Sequence, residues 1–372
     1  MSSYRNLGAG KVLLVIKREE RKYLAEAIAL LETLGLREPI VHYVKKPSHR
    51  YYIQENYVKI FSTNGLEKPS LIVIYDKLRP WQHYNLSREL RDVEIWDIVT
   101  LILKIFELHA GTLEAKLKIE LLNIRHQIPL VKEYVRLSKL GEQAGPMGAG
   151  AYGYEALLTS LRRKAVRIAR RLEEIKYKRE LQTINRSRLG IPMISIIGYA
   201  SAGKTTLYNK LSGDHKLTGP GFFKTLSPKS GLVETMCGNM IVTDTIGFIR
   251  KMPEEIIDVF HAVISEIRFS DQIILVTDLT DPVEDYIEKL LVSIDVLKKI
   301  NAIEKPLIIL LNKKDLVPPS VAEEYKKLTL NIIAEEKVSS LKALVVASAL
   351  RGDGLEELLL SLCRNTDLSK RI

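Results

Sequence analysis

The apolar run Ile191-Pro-Met-Ile-Ser-Ile-Ile197 leads directly into Gly198-Tyr-Ala-Ser-Ala-Gly203-Lys204-Thr205 and then into the helix-forming Thr206-Leu-Tyr-Asn-Lys-Leu211. No other stretch constrains the fold as tightly. A buried strand, a glycine-bounded loop and a helix in this order form G-x-x-x-x-G-K-[S/T], a pattern whose loop amides and helix N-terminus cradle phosphates. The strand needs neighbours on both edges and helices on both faces, so an α/β layer is required. Gly198, Tyr199, Ala200, Ser201, Ala202, Gly203, Lys204, Thr205 and Thr206 are the expected contacts to a phosphate chain. Lys204 is expected to meet its outer oxygens and the Thr205 hydroxyl to ligate Mg2+.

Three further motifs follow in order. Met240-Ile-Val-Thr243 precedes Asp244-Thr-Ile-Gly247, Pro306-Leu-Ile-Ile-Leu-Leu311 ends in Asn312-Lys313-Lys314-Asp315, and Ala343-Leu-Val-Val-Ala347 leads into Ser348-Ala349. Each alone could be an ordinary loop, but each lies at the carboxyl end of an apolar strand, where open α/β sheets bind ligands. Asp244 suits Mg2+ and the Gly247 amide suits a terminal phosphate. Asp315 can accept from two guanine donors that adenine lacks, and the backbone of Ser348 and Ala349 can face the base oxygen. Together these are the motif set of regulatory GTPases, and residues 190–366 resemble a Ras-like G domain that binds GTP or GDP. Thr218, Thr225 and Thr235 are candidates for the threonine that senses the γ-phosphate. Spacing favours Thr225 as the catalytic and metal-binding switch residue, beside Lys204 and Gly247. Where Ras-like enzymes carry a water-orienting Gln, this chain has Phe248, so slow intrinsic hydrolysis is expected; Phe248 can equally pack into the core. His261 reads as a structural helix residue.

The first half differs in character. The 372 residues suit two to three domains, and 46% hydrophobic with 27% charged residues is a globular composition. No apolar run reaches membrane-spanning length and the N-terminus lacks a signal-peptide core, so a cytoplasmic protein without a membrane partner is expected. Cys237 and Cys363 are read as separate packing residues. Residues 1–189 hold 34 Lys and Arg against 21 Asp and Glu, whereas residues 190–372 hold 22 against 24. All the excess positive charge therefore lies in the first half, as a polyanion-binding region requires.

Apolar runs at 11–17, 39–44 and 71–75 alternate with helical stretches and predict a small parallel βαβ domain, placed at 1–80. Helical periodicity from about 86 to 137, with Pro129 as a break or kink, is followed by a Gly/Ala-rich stretch, 141–153, that is expected to hold no regular element. A second long helix is expected from about 154 to 185. The pair forms an antiparallel hairpin in a helical region, 81–189, ahead of a G domain, 190–372. Residues 162–179 of the second helix carry nine cations and two anions. A solvated face would mix the signs, so RNA backbone is expected to bind there, mainly through Arg162, Arg163, Arg167, Arg170 and Arg171.

Across nearly its whole length the sequence is similar to the HflX family of translation GTPases. The resemblance rests on Phe222-Phe-Lys-Thr225-Leu-Ser-Pro228, Asp244-Thr-Ile-Gly-Phe-Ile249, Asp97-Ile-Val-Thr-Leu-Ile-Leu-Lys-Ile-Phe106, Lys116-Leu-Lys-Ile-Glu-Leu121 and the hairpin with its Gly-rich tip. It implies a ribosome partner, chiefly the large subunit and its rRNA, and a role at stalled ribosomes. The chain departs from the family at Ala200-Ser201, at Ile98, at Lys224 and Ser227, and at the reduced tip Gly145-Pro146-Met147-Gly148. It also ends soon after the G domain, as expected of a divergent, archaeal-type member. A monomer is expected. Two other readings stay open: a nucleotide-gated protein scaffold with incidental hydrolysis, whose association survives RNase, and an NTPase with relaxed base choice.

Overall fold

The computed structural model describes residues 11–63, 68–110, 112–141, 149–187, 191–213, 229–245, 247–248, 267 and 270–363. The expected switch residue Thr225, a second candidate Thr218, His261, residues 222–228 and the tip residues 145–148 lie outside these, while the third candidate Thr235 lies within them. The chain divides into two compact units, Met1–Ile175 and Lys176–Ile372. Among the described residues, no helix is long and apolar enough to cross a membrane.

The first unit holds a parallel sheet of β1 (Val12–Lys17), β2 (Ile40–Val44), β3 (Leu71–Ile74) and β4 (Glu94–Asp97), in the order β2-β1-β3-β4. β1 and β3 lie inside the sheet and are almost wholly buried, which is why they read as unbroken apolar runs. The helices are α1 (Leu24–Thr33), α2 (Glu55–Thr63), α3 (Pro80–Glu89) and α4 (Ile98–His109). The fourth strand corrects the sequence reading, which made this region helical from about residue 86; the sheet also continues past the expected domain end at 80. Val93, Ile95 and Trp96 are buried, and so short an apolar run has the same signature in a strand as in a buried helix. Asp97 closes β4 and caps α4, accepting from the Thr100 amide at 2.9 Å.

Two long helices follow, α5 (Leu113–Gly141) and α6 (Ala149–Ser187). They pack antiparallel through Ile124 and Val131 of one and Leu161 and Ile168 of the other, with Lys139–Glu155 and Lys164–Glu120 ion pairs across the seam. One expectation changes here and one narrows. Of the break or kink expected at Pro129, the break does not occur, since α5 runs through it; the surrounding apolar seam outweighs one lost backbone hydrogen bond. Residues 149–153, expected to be irregular, form the first turn of α6. The middle of α5 is anchored to the sheet by His126, whose Nε2 lies 3.2 Å from the buried carboxylate of Asp97.

The second unit is a six-stranded sheet, β5 (Met193–Gly198), β6 (Lys229–Thr235), β7 (Gly238–Asp244), β8 (Gln272–Asp278), β9 (Leu307–Asn312) and β10 (Leu341–Val346), in the order β10-β9-β8-β5-β7-β6. Only β6 runs antiparallel, as a hairpin on β7. Among the described residues its helices are α7 (Lys204–Ser212), α8 (Val283–Lys299), α9 (Pro319–Glu335) and α10 (Leu355–Cys363). The Ras-like α/β architecture, preceded by a parallel βαβ sheet and a helical hairpin, is as expected. The cysteines are not. Cys237, in the β6–β7 turn, and Cys363, at the end of α10, are joined by a disulfide with Cα atoms 5.7 Å apart. The fold brings together two positions that lie too far apart in sequence for spacing to reveal a pair.

Candidate nucleotide-binding site

Strand register sets the site. β5 lies between β7 and β8, with Ile196 opposite Asp244 on one side and Gly198 opposite Val276 on the other; Asp278 stands opposite Asn312 on the next strand. The carboxyl ends of four strands therefore deliver Gly198, Asp244, Asp278 and Asn312 to one edge of the sheet.

The loop leaving β5 can only be built with glycine at its two ends. Gly198 has φ +141°, and a Cβ there would stand 2.2 Å from the Val276 carbonyl oxygen; Gly203 has φ +98°, and its Cβ would meet the Asn312 amide nitrogen at 2.2 Å. Ser201 is also left-handed, and alternation of this kind turns successive amides toward one concavity. Lys204, the first residue of α7, points into that concavity. Its ammonium is buried and donates to the Tyr199 carbonyl at 2.7 Å. Burial pushes its pKa down to about 8, with the Asp244 charge opposing the shift. Beside it the Thr205 hydroxyl donates to Asp244 Oδ2 at 2.9 Å. A hydroxyl and a carboxylate this close form a hard-oxygen pair of the kind that suits Mg2+. Thr206 is half-buried on the next position of α7.

Gly247 packs on the phosphate loop so closely that a Cβ would lie 2.7 Å from Ala200 Cα and 2.9 Å from Lys204 Nζ. Phe248 is buried at 1% exposure. Its amide donates to the Gly198 carbonyl at 3.0 Å and its carbonyl accepts from the Ala200 amide at 2.8 Å. The ring is therefore core, and the backbone after Gly247 is stitched to the loop.

On the other side, Asn312 joins two loops. Its amide donates to the Ala202 carbonyl at 2.8 Å while its carbonyl oxygen accepts from the Ala349 amide at 2.9 Å. Lys313 is left-handed and its ammonium pairs with Asp278. The Asp315 carboxylate is largely shielded and lies 3.8 Å from Arg351 Nε. Ser348 Oγ accepts from the Arg351 amide at 3.1 Å, which shapes the turn beside Ala349.

Separately, Arg162, Arg163, Arg167, Arg170 and Arg171 are all exposed on α6. At about 100° per residue they cover roughly half the helix circumference, opposite the Leu161 and Ile168 stripe that packs on α5.

Residues 193–313 match the family model described as a 50S ribosome-binding GTPase. Residues 21–107 and 109–186 match the N-terminal and middle regions of GTP-binding GTPases. The chain is 36% identical to GTPase HflX of Saccharolobus solfataricus over 338 residues, covering 90% of this chain and 94% of that protein. It belongs to the HflX family of GTPases. GTPase HflX of Hyperthermus butylicus is 37% identical, covering 95% and 94% of the two chains. The crystal structure of SsGBP with GDP is similar at TM-score 0.58 and 31% identity, covering 95% and 97% of the two chains. This HflX-family chain is thus a GTP-binding protein of a GTP-hydrolysing family. Sequence reasoning had singled out Gly198, Lys204, Thr205, Asp244 and Asn312, which the fold brings to this edge, but not Asp278, which braces Lys313 and accepts from Thr280 at 2.9 Å. Its one signal is its place at the end of the apolar strand β8. Nor did it single out Arg351, beside Asp315.

Proposed function

We propose that the chain is a slow, Mg2+-dependent GTPase that docks on the large ribosomal subunit through the basic face of α6. The observation that carries the nucleotide reading is the convergence of Lys204, the Thr205–Asp244 pair and Asn312 at one sheet edge. In this reading the amides of residues 200–206 bind the phosphate chain and the buried Lys204 ammonium neutralises its outer oxygens, which in turn hold Lys204 charged. Thr205 and Asp244, joined by Thr225 in the GTP state, would hold Mg2+, which would supply charge neutralisation to the phosphate chain. The Gly247 amide reports the γ-phosphate. Asp315 takes the guanine N1 and N2 protons, Lys313 walls the base, and Ser348 and Ala349 face its oxygen. Phe248 offers the attacking water no polar group, so its side chain leaves hydrolysis slow until a partner orients that water.

Five exposed arginines on one helical face, opposite its apolar stripe, support RNA as the partner of the first half. The four-stranded sheet that ends with β4, the hairpin of α5 and α6, and the sheet that starts with β5 would then serve as a sheet domain, an RNA-binding hairpin and the switch. The test is multiple-turnover GTP hydrolysis with increasing purified large subunits at two salt concentrations. Salt-sensitive stimulation is expected, lost when Arg162, Arg163, Arg167, Arg170 and Arg171 are neutralised together. Stimulation absent at every subunit concentration, with no co-sedimentation in the GTP state, overturns the ribosome assignment.

A further inference from the structure

Two loops that leave the carboxyl edge of the first sheet share one surface. Residues 41–54, around the end of β2, and residues 77–88, after β3, contain no Asp or Glu. Lys45, Lys46, Arg50, Lys77, Arg79 and Arg88 are all exposed there. The loops are held together by three side chains of α3. Trp81 Nε1 donates to the His49 carbonyl at 3.0 Å, Gln82 to the Ser48 carbonyl at 2.9 Å, and Asn85 to the Arg50 carbonyl at 3.0 Å. The surface is therefore built in advance rather than ordered by a ligand. At its centre the Trp81 indole is only half-buried. The Arg79 guanidinium lies 5.1 Å from its ring centre and the His49 ring lies 5.5 Å away, tilted by 32°.

A flat ring kept at the surface among exposed cations fits a ligand with both a π-face and phosphates. A duplex hides its base faces, so the ligand must present an unstacked base. We propose that this surface binds an unpaired stretch of RNA, with a base stacked on Trp81 and the flanking phosphates on Lys45, Lys46 and Arg50. It is a contact separate from the α6 face, and it rests on the reading that the first half binds RNA.

The chain has two tryptophans, and Trp96 is buried at 2% exposure, so fluorescence quenching by a ligand reports Trp81. Titration of the full chain with single-stranded hexamers of U or A should quench this emission, and Trp81→Phe should abolish that signal. In an anisotropy assay with labelled hexamer, Trp81→Ala should weaken binding about tenfold or more while Trp81→Tyr keeps most of the affinity. Replacing Lys45 and Lys46 by Gln should reduce the salt slope by about 1.4, at roughly 0.7 per phosphate for single strands. Undiminished affinity of Trp81→Ala, equal binding of a duplex, or equal binding of free AMP or GMP would each overturn the proposal. Neutralising the five α6 arginines should leave the quenching intact. If hexamer binding instead needs those arginines and ignores Trp81, the RNA reading of the first half stands and this site falls.

Discussion

Replacing Cys237 and Cys363 together by serine should destabilise the second unit by about 5 kcal/mol. The bridge closes a loop of 126 residues, and the loop-closure entropy withheld from the unfolded chain grows as the logarithm of that length, giving about 5 kcal/mol near 25 °C. Serine is nearly isosteric and both residues are only partly buried in the core, so little packing change should add to this. In guanidinium, with a slope of about 4 kcal/mol per molar for a unit of this size, the midpoint should fall by roughly 1 M; by heating, about 10–20 °C should be lost. Circular dichroism would follow the transition with and without a dithiol reductant. Both tryptophans lie in the first unit, so the tryptophan emission transition serves as an internal control that should not move. The double variant and the reduced wild type should coincide. Equal midpoints for oxidised wild type and variant, or ready alkylation of both thiols in the folded protein, would refute the reasoning.

Four other outcomes follow from the geometry. Asp315→Asn should weaken GTP binding by at least tenfold and favour xanthine nucleotides, measured by equilibrium competition; an unchanged preference would remove Asp315 from the base contact. Lys204, with a pKa of about 8 when no phosphate is bound, should take up a proton on binding nucleotide above pH 8. Affinity should then be flat below pH 8 and fall by up to tenfold per unit above it, with proton uptake read by calorimetry in buffers of different ionisation enthalpy. Gly203→Ala, which sets a methyl 2.2 Å from the Asn312 amide at a left-handed φ, should cost about 2–3 kcal/mol in strain and lost hydrogen bonding and weaken all guanine nucleotides alike. Asp97→Ala should destabilise the first unit by about 2–3 kcal/mol, followed by tryptophan fluorescence. Burial raises the Asp97 pKa but the hydrogen bonds from His126 and Thr100 outweigh it and hold it below the usual carboxylate value. Its stabilisation is therefore complete above about pH 4 and is lost as pH falls through the lower folded value.

Four motifs of the candidate nucleotide site were legible because each ends an apolar strand. Gly198, Asp244, Asn312 and Ser348 announce themselves by position as well as type. Asp278 occupies the same kind of position at the end of β8, but a lone Asp before a turn is too common to be distinctive, and its role appears only when Lys313 folds onto it. β4 was misread because residues 93–99 satisfy strand and helix patterns equally, and only pairing with β3 decides between them. At Pro129 a strong local signal does not end the helix, because the apolar seam around it holds α5 together. The disulfide was hidden because the chain distance between its halves says nothing about their meeting. On α6 the exposed arginines were legible from charge alone, while the Trp81 surface was not, since its two loops are far apart in sequence and share a surface only through α3.

Asn312 ties the carbonyl of Ala202 to the amide of Ala349 through one carboxamide. With the nucleotide placed as proposed, a guanine nucleotide behaves as a bivalent ligand: its base and its phosphate chain are two weak binders whose receptors are held at a preset spacing. The second half then binds at a high effective concentration once the first is engaged, and dissociation requires both to let go within the same short interval. Guanosine and pyrophosphate offered separately should bind far more weakly than their free energies as parts of GDP suggest. Loosening Asn312 would shorten nucleotide residence while leaving Lys204, Asp315 and the Thr205–Asp244 pair in place.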